Sequence, residues 1–232
     1  MNFLEDCIMT NNQSISLTKC FKDTYDLEMQ NMNFMRLGSI YHRLVGNQIV
    51  QLLTLQRFRF GDYTIQYLIW PLCCGDEIDR HLDESRLGNL TWFYEERNDT
   101  TMAETLKICK NELFPYFIKI IDYASFMEFY KELFYKMNGI EPPILCDYNY
   151  KVNLFLGNYD LALRSREALM KQNGPMREGD TYWNGVRKKN LEEYNAIKKA
   201  IETGDRLYIE SYLKKYEEFS LNSYYKNYKI RK

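Results

Sequence analysis

Apolar residues recur at two different periods along this chain, and the change of period divides it. From about Ser14 to Gln30, Leu17, Cys20, Phe21, Tyr25 and Leu27 or Met29 fall on one side of a helix, with polar residues between. The stretch NFMRLGSIYHRLVGNQIVQLLTLQRFRFGDYTIQYLIW then reads in short runs broken at Gly38, Gly46 and Gly61. Gly46-Asn47 and Gly61-Asp62 are two-residue signals of the kind that closes hairpins. Four antiparallel strands are expected, near residues 33–37, 39–44, 48–59 and 62–70. The third carries Ile49, Val50, Leu52, Leu53 and Leu55 on both faces, which predicts a central position in the sheet. In the fourth, Tyr63, Ile65, Tyr67 and Ile69 share one face and Thr64 and Gln66 the other. Leu68 and Trp70 break that alternation and predict cover on both sides at the far end.

Beyond the strands the chain turns acidic from Asp76 to Glu104, where LGNLTWFYEE has the pattern of a further short strand or a segment lying on the sheet. Helical periodicity returns at TTMAETLKICKNELF, and Pro115 is expected to end or kink that helix. Another helix begins at YASFMEFYKELFYKM, with Ser125 and Glu128 at capping-box spacing. GIEPPILCD reads as a stiff extended connector and the best boundary. After it everything is helical: Asp147 to Leu156, then GNYDLALRSREALMKQNG, then a loop GPMREGDTYWNG. VRKKNLEEYNAIKKAIETGD follows, with Leu191, Tyr194, Ile197 and Ile201 on one face. Gly204 stops that helix and Asp205 caps the last, whose Tyr208, Tyr212, Tyr216 and Phe219 form a packing stripe with Ile209 and Leu213 beside it. The expected architecture is α+β. A small antiparallel sheet of four to five strands with helices packed on one face occupies residues 1–140. A helical section of two hairpins occupies 146–232 and can pack with the first as one unit.

Composition changes this picture in three ways. A chain of 232 residues buries a core without needing disulfides or metal. A formal net charge of −1 removes any bulk electrostatic argument for nucleic acid or an anionic surface. Twenty tyrosines supply rings that pack while their hydroxyls reach polar partners. No run of about 18 apolar residues is present, and Glu5 and Asp6 stand where a secretory leader carries basic residues. A cytoplasmic protein without a membrane span is expected, its six scattered cysteines acting as small buried hydrophobes.

The candidate chemistry is sparse. WPLCCGDEIDRH concentrates cysteines, acids and His81, but Cys73 and Cys74 are adjacent and no second ligand pair follows at zinc spacing. The acids also lack the calcium-loop pattern. A strand end followed by an acidic loop is the expectation, with no metal and no cofactor. Only His42 and His81 are available for proton transfer, and neither sits in H-E-x-x-H or beside G-x-S-x-G. No phosphate-binding glycine loop occurs. The tail YYKNYKIRK joins basic residues to three tyrosines, a combination that can meet phosphates and stack on bases, yet the rest of the chain is net negative. The remaining candidate is the polar set on the hairpin around Gly61: Gln51, Gln56, Arg57, Arg59, Thr64 and Gln66. On an uncovered sheet face these would line a shallow groove with Trp70 or Trp92. From this set Gln56, Arg57, Arg59, Gln66 and Trp92 are the candidate ligand-binding residues, weighed against a plain solvated face.

NFMRLGSIYHR, Leu55-Gln56-Arg57, YTIQYLIWPL and LFPYFIKI together resemble the core of an uncharacterised bacterial family, domain of unknown function 4304, over roughly residues 14–140. The resemblance implies an α+β fold and no activity. Met35 and Leu37 depart from its usual pattern, as does the missing glycine of the last strand. Gly157-Asn158-Tyr159-Asp160-Leu161-Ala162 resembles the inter-helix turn of a tetratricopeptide repeat, near residues 147–172, without the upstream half of that motif. The functional expectation is a non-catalytic binding or interaction protein, an adaptor or immunity type, whose partner is another protein. The alternatives are an enzyme on a small molecule or nucleotide using dispersed residues such as Arg57, His81 and Glu95, and a nucleic-acid binder acting through the tail. Oligomeric state stays open.

Overall fold

The computed structural model describes residues 16–57, 63–74, 99–138, 147–172 and 181–228. Helix α1 (Leu17–Asn31) is capped by Ser16, whose hydroxyl accepts the Lys19 N–H at 3.2 Å. It buries Leu17, Cys20, Phe21, Tyr25 and Met29, and Leu27 faces outward, which settles the choice between Leu27 and Met29. Four strands follow: β1 (Met35–Leu37), β2 (Ile40–Val45), β3 (Ile49–Arg57) and β4 (Tyr63–Pro71). They form one antiparallel sheet in the order β1-β2-β3-β4, so the doubly apolar β3 lies inside it, as its pattern requires.

The β2–β3 turn shows why this sequence closes there. Gly46 and Asn47 both have positive φ, the requirement of a type I′ turn, and Gln48 N–H donates to the Val45 carbonyl. Because Val45 pairs with Ile49, Gln48 is an extra residue beyond the tight turn. It is used: its carbonyl accepts from Leu72 N–H at 2.8 Å and its side-chain oxygen from Tyr123 N–H at 3.1 Å.

Cross-strand partners share a face, so the register divides the sheet residues into two sets. One face carries Tyr41, Arg43, Gln51, Leu53 and Ile69. Phe21 of α1 packs its ring 5.3 Å from Tyr41, whose hydroxyl donates to Asp26. The opposite face carries His42, Leu52, Thr54, Gln66, Leu68 and Trp70. Helix cover on a single face was expected, but the end of the last helix reaches this second face. Tyr224 hydrogen-bonds His42 Nδ1 at 2.9 Å, and the Tyr228 ring stacks on it at 4.6 Å between centroids. Trp70, expected near a groove, is a core residue.

After β4 a 3-10 turn (Leu72–Cys74) buries both cysteines. Helix α2 (Asp99–Ile108) passes through a π-helical turn (Cys109–Leu113) into α3 (Phe114–Lys119). Pro115 does not end the helix; it lies in the first turn of α3, where a missing N–H costs little, and the π turn absorbs the change of register. Helix α4 (Tyr123–Asn138) starts earlier than Ser125. Asp122 takes the capping role, accepting the Ser125 N–H at 2.8 Å, and Ser125 Oγ returns the favour to the Asp122 N–H. Glu128 therefore lies outside the capping box.

The helical section contains α5 (Asp147–Phe155), α6 (Tyr159–Gln172), α7 (Thr181–Thr203) and α8 (Arg206–Asn227). Helix α7 begins five residues before the expected Val186 and carries Gly185 in its first turns, because an exposed glycine weakens a helix by only about 1 kcal/mol. Tyr194, Ile197 and Ala200 are its buried residues; Leu191, expected beside them, is exposed. On α8 the buried row is Ile209, Leu213, Ser220 and Tyr224, so it runs through the Ile209 and Leu213 expected beside the Tyr stripe rather than along the stripe itself. Among the described residues no helix is long and apolar enough to cross a membrane. The expected strand at LGNLTWFYEE and the proline connector lie outside the described residues.

Candidate functional site

The sequence-derived site residues are placed as follows. Gln56 pairs with Thr64, and Gln66 with Thr54, so all four lie on the His42 face of the sheet. Gln66, Thr54 and Thr64 are buried and Gln56 is half-buried, so this part of the face is not open to solvent. Gln51 lies on the opposite face. Its side-chain amide donates to the carbonyls of Phe117 and Ile120, and its oxygen accepts from Arg43 Nε at 2.8 Å. It serves as a bracket for the α3 C-terminus. Arg59 and Trp92, with the side chain of Arg57, lie outside the described residues.

His42 is the one described histidine. Burial lowers its pKa to about 4, so the ring is neutral at ordinary pH and packs as an aromatic group. From WPLCCGDEIDRH the described part ends at Cys74; Cys73 and Cys74 are buried. Among the described residues no three His, Cys, Asp or Glu side chains are placed to hold a metal. In the tail, Tyr224 and Tyr228 belong to the core beside His42, so two of its three rings are not free to stack on bases.

Sequence reasoning missed two features of the helical section. The first is a polar knot. Glu193 of α7 accepts from the hydroxyls of both Tyr212 and Tyr216 on α8. Burial alone pushes its carboxyl up. The two hydroxyls, with the Arg166 and Lys151 charges, more than offset that and leave its pKa below the usual carboxylate value. Lys151, buried on α5, donates to the Cys74 carbonyl and holds its ammonium 4.0 Å above the Tyr216 ring. The knot thus ties α5, α7 and α8 to the turn that follows β4.

The second is a surface groove of about 740 Å³, between the α5–α6 turn and the first half of α8. Leu154, Ile209 and Leu213 are its buried floor, and the partly exposed Phe155 and Leu156 form one wall. The wall stands where it does because α5 ends sharply. Gly157 has positive φ, and Asn158 N–H reaches back to the Asn153 carbonyl, closing the helix so that Ala162 can pack tightly in α6. The Phe155 ring meets Tyr123 edge-on at 4.5 Å. Tyr123 in turn accepts the Cys73 N–H and donates to Glu217 at 2.6 Å. Arg206, Glu210, Lys214 and Glu217 edge the groove from α8. Gly157 and Ala162 were the available signal. They marked the hairpin, but the facing wall comes from α8, about fifty residues away in sequence.

No family model, curated protein or solved structure matches this chain.

Proposed function

We propose that this protein is a non-catalytic interaction protein whose groove between the α5–α6 turn and α8 receives an apolar-anchored segment of a partner protein. The groove carries this reading: an apolar floor with a two-sign charged edge suits a side chain anchored by burial and oriented by its flanks. Phe155 and Leu156 remain partly exposed at its wall although they adjoin the second core, which is the placement of a contact surface. Of the charged residues at its edge, Glu217 is engaged in holding the fold, accepting the Tyr123 hydroxyl.

The test is site-specific photo-crosslinking in cells from Leu156 and Lys214, compared with Lys198 on the outer side of α7. A discrete adduct from each of the two groove positions, with the Lys214 adduct lost in Leu156→Asp, supports the reading. Equal labelling from all three positions rejects it.

A further inference from the structure

We infer that the segment received by this groove is α8 of a second copy of the same chain, laid antiparallel; the inference rests on the groove being an interaction site. Arg206, Glu210, Lys214 and Glu218 recur every fourth residue, so they follow one side of α8 in alternating sign. Turned end for end about Tyr212, the row meets its own opposite: Arg206 faces Glu218 of the second copy and Glu210 faces Lys214. A two-fold interface must be self-complementary in this way, residue i meeting j and j meeting i. In the parallel in-register arrangement every pair would be of like sign.

Two structural observations accompany the pattern. Lys214 and Glu218 form an ion pair at 4.0 Å along the helix, but the side chains of Arg206 and Glu210 make no ion pair among the described residues. Leu207, on the same flank of α8, is 79% exposed. In the antiparallel arrangement it falls at the level of Glu217, at the lip of the groove, where its side chain can enter beside Phe155 and Leu156. The paired stretch is short, about 18 Å of helix. A contact of this size belongs to the weak class, so association in the micromolar range is expected, with marked salt dependence.

Sedimentation equilibrium of the full chain at low and high salt reads this directly. A monomer–dimer equilibrium is expected at tens of micromolar, weakened by salt. Glu210→Lys places like charges against Lys214 twice per dimer and should raise the dissociation constant about tenfold, as should Lys214→Glu. The double variant, Glu210→Lys with Lys214→Glu, should recover most of the loss. Leu207→Ser should weaken the dimer without touching the charges. All three positions are exposed, and a circular dichroism melt confirms the fold of each variant. A chain that stays monomeric at high concentration overturns the second-copy inference, as does a dimer indifferent to these changes. A double variant no better than the singles overturns the antiparallel pairing. The groove itself answers to a different readout: an adduct from Leu156 to another protein would preserve it even if the chain never pairs with itself.

Discussion

The sheet region and the helical section hold together by different means. In the sheet region a large apolar core leaves polar side chains to bracket backbone: Gln51 and Arg43 gather the carbonyls of Phe117, Ile120 and Met32. Thr105 donates to the Met102 carbonyl, which leaves its oxygen to accept from Tyr25 at 2.7 Å. The second core is small, resting on Tyr150, Leu154, Ala162, Ile197, Ala200, Ile209 and Leu213. There, tyrosine hydroxyls bonded to Glu193 and Glu167, and the stem and charge of Lys151, supplement what apolar area does not provide. Where burial is plentiful, polar groups specify geometry; where it is scarce, they join helices to one another, and pH acts on the joints.

The largest expected effect comes from Phe21→Ala, which empties a fully buried ring site in the sheet core and should cost about 3–5 kcal/mol. Tyr224 and Tyr228 belong to that same core, so the helical section should be lost in the same transition. Denaturation followed by both circular dichroism and tryptophan fluorescence checks this; two separated transitions would make the regions independent.

A glycine pair sharpens the contrast. Gly46 and Gly204 both have positive φ. A Cβ at Gly46 would lie 2.8 Å from the Ile121 carbonyl oxygen, whereas at Gly204 it meets open space. Gly46→Ala should therefore cost about 2–3 kcal/mol and Gly204→Ala about 1 kcal/mol in urea titrations. Equal losses would mean the β2–β3 turn is not pinned against the α3–α4 connection.

The two regions should also lose stability in different pH windows. His42 has a folded pKa of about 4, below its unfolded value of 6.5, so the unfolded chain binds the extra proton between those limits. Its contribution is complete above pH 6.5 and falls as pH drops toward 4, by on the order of 1–2 kcal/mol. Glu193 has a lowered carboxylate pKa, so its contribution is present above about 4.5 and is lost as pH falls through the folded value. His42→Gln should flatten the upper window and leave the lower one. Glu193→Gln should do the reverse, with a loss of about 1–2 kcal/mol at neutral pH. The same slope in both variants would remove the distinction.

Much of the fold was legible locally. The four strands lie within two or three residues of their expected bounds, because alternation and positive-φ turn residues are decided by neighbours in sequence. Gly157, Gly204 and Asp205 marked helix ends for the same reason. The site was less legible. Gln66 was read as a surface polar residue because its strand alternates, yet it is buried, and alternation does not say what lies above a face. His42 looked like strand surface until Tyr224, nearly two hundred residues away, packed on it.

By itself, the sequence determined the periods, the Gly46-Asn47 turn and the helix ends at Gly157, Gly204 and Asp205, and hence an α+β chain ending in helical hairpins. Tertiary structure alone decided that α8 returns to the second face of the sheet. It also decided that Glu193 gathers two tyrosines, and that Phe155 and Leu156 face α8 across a groove. Each of these depends on side chains from separate elements meeting, a long-range packing outcome that no local pattern encodes.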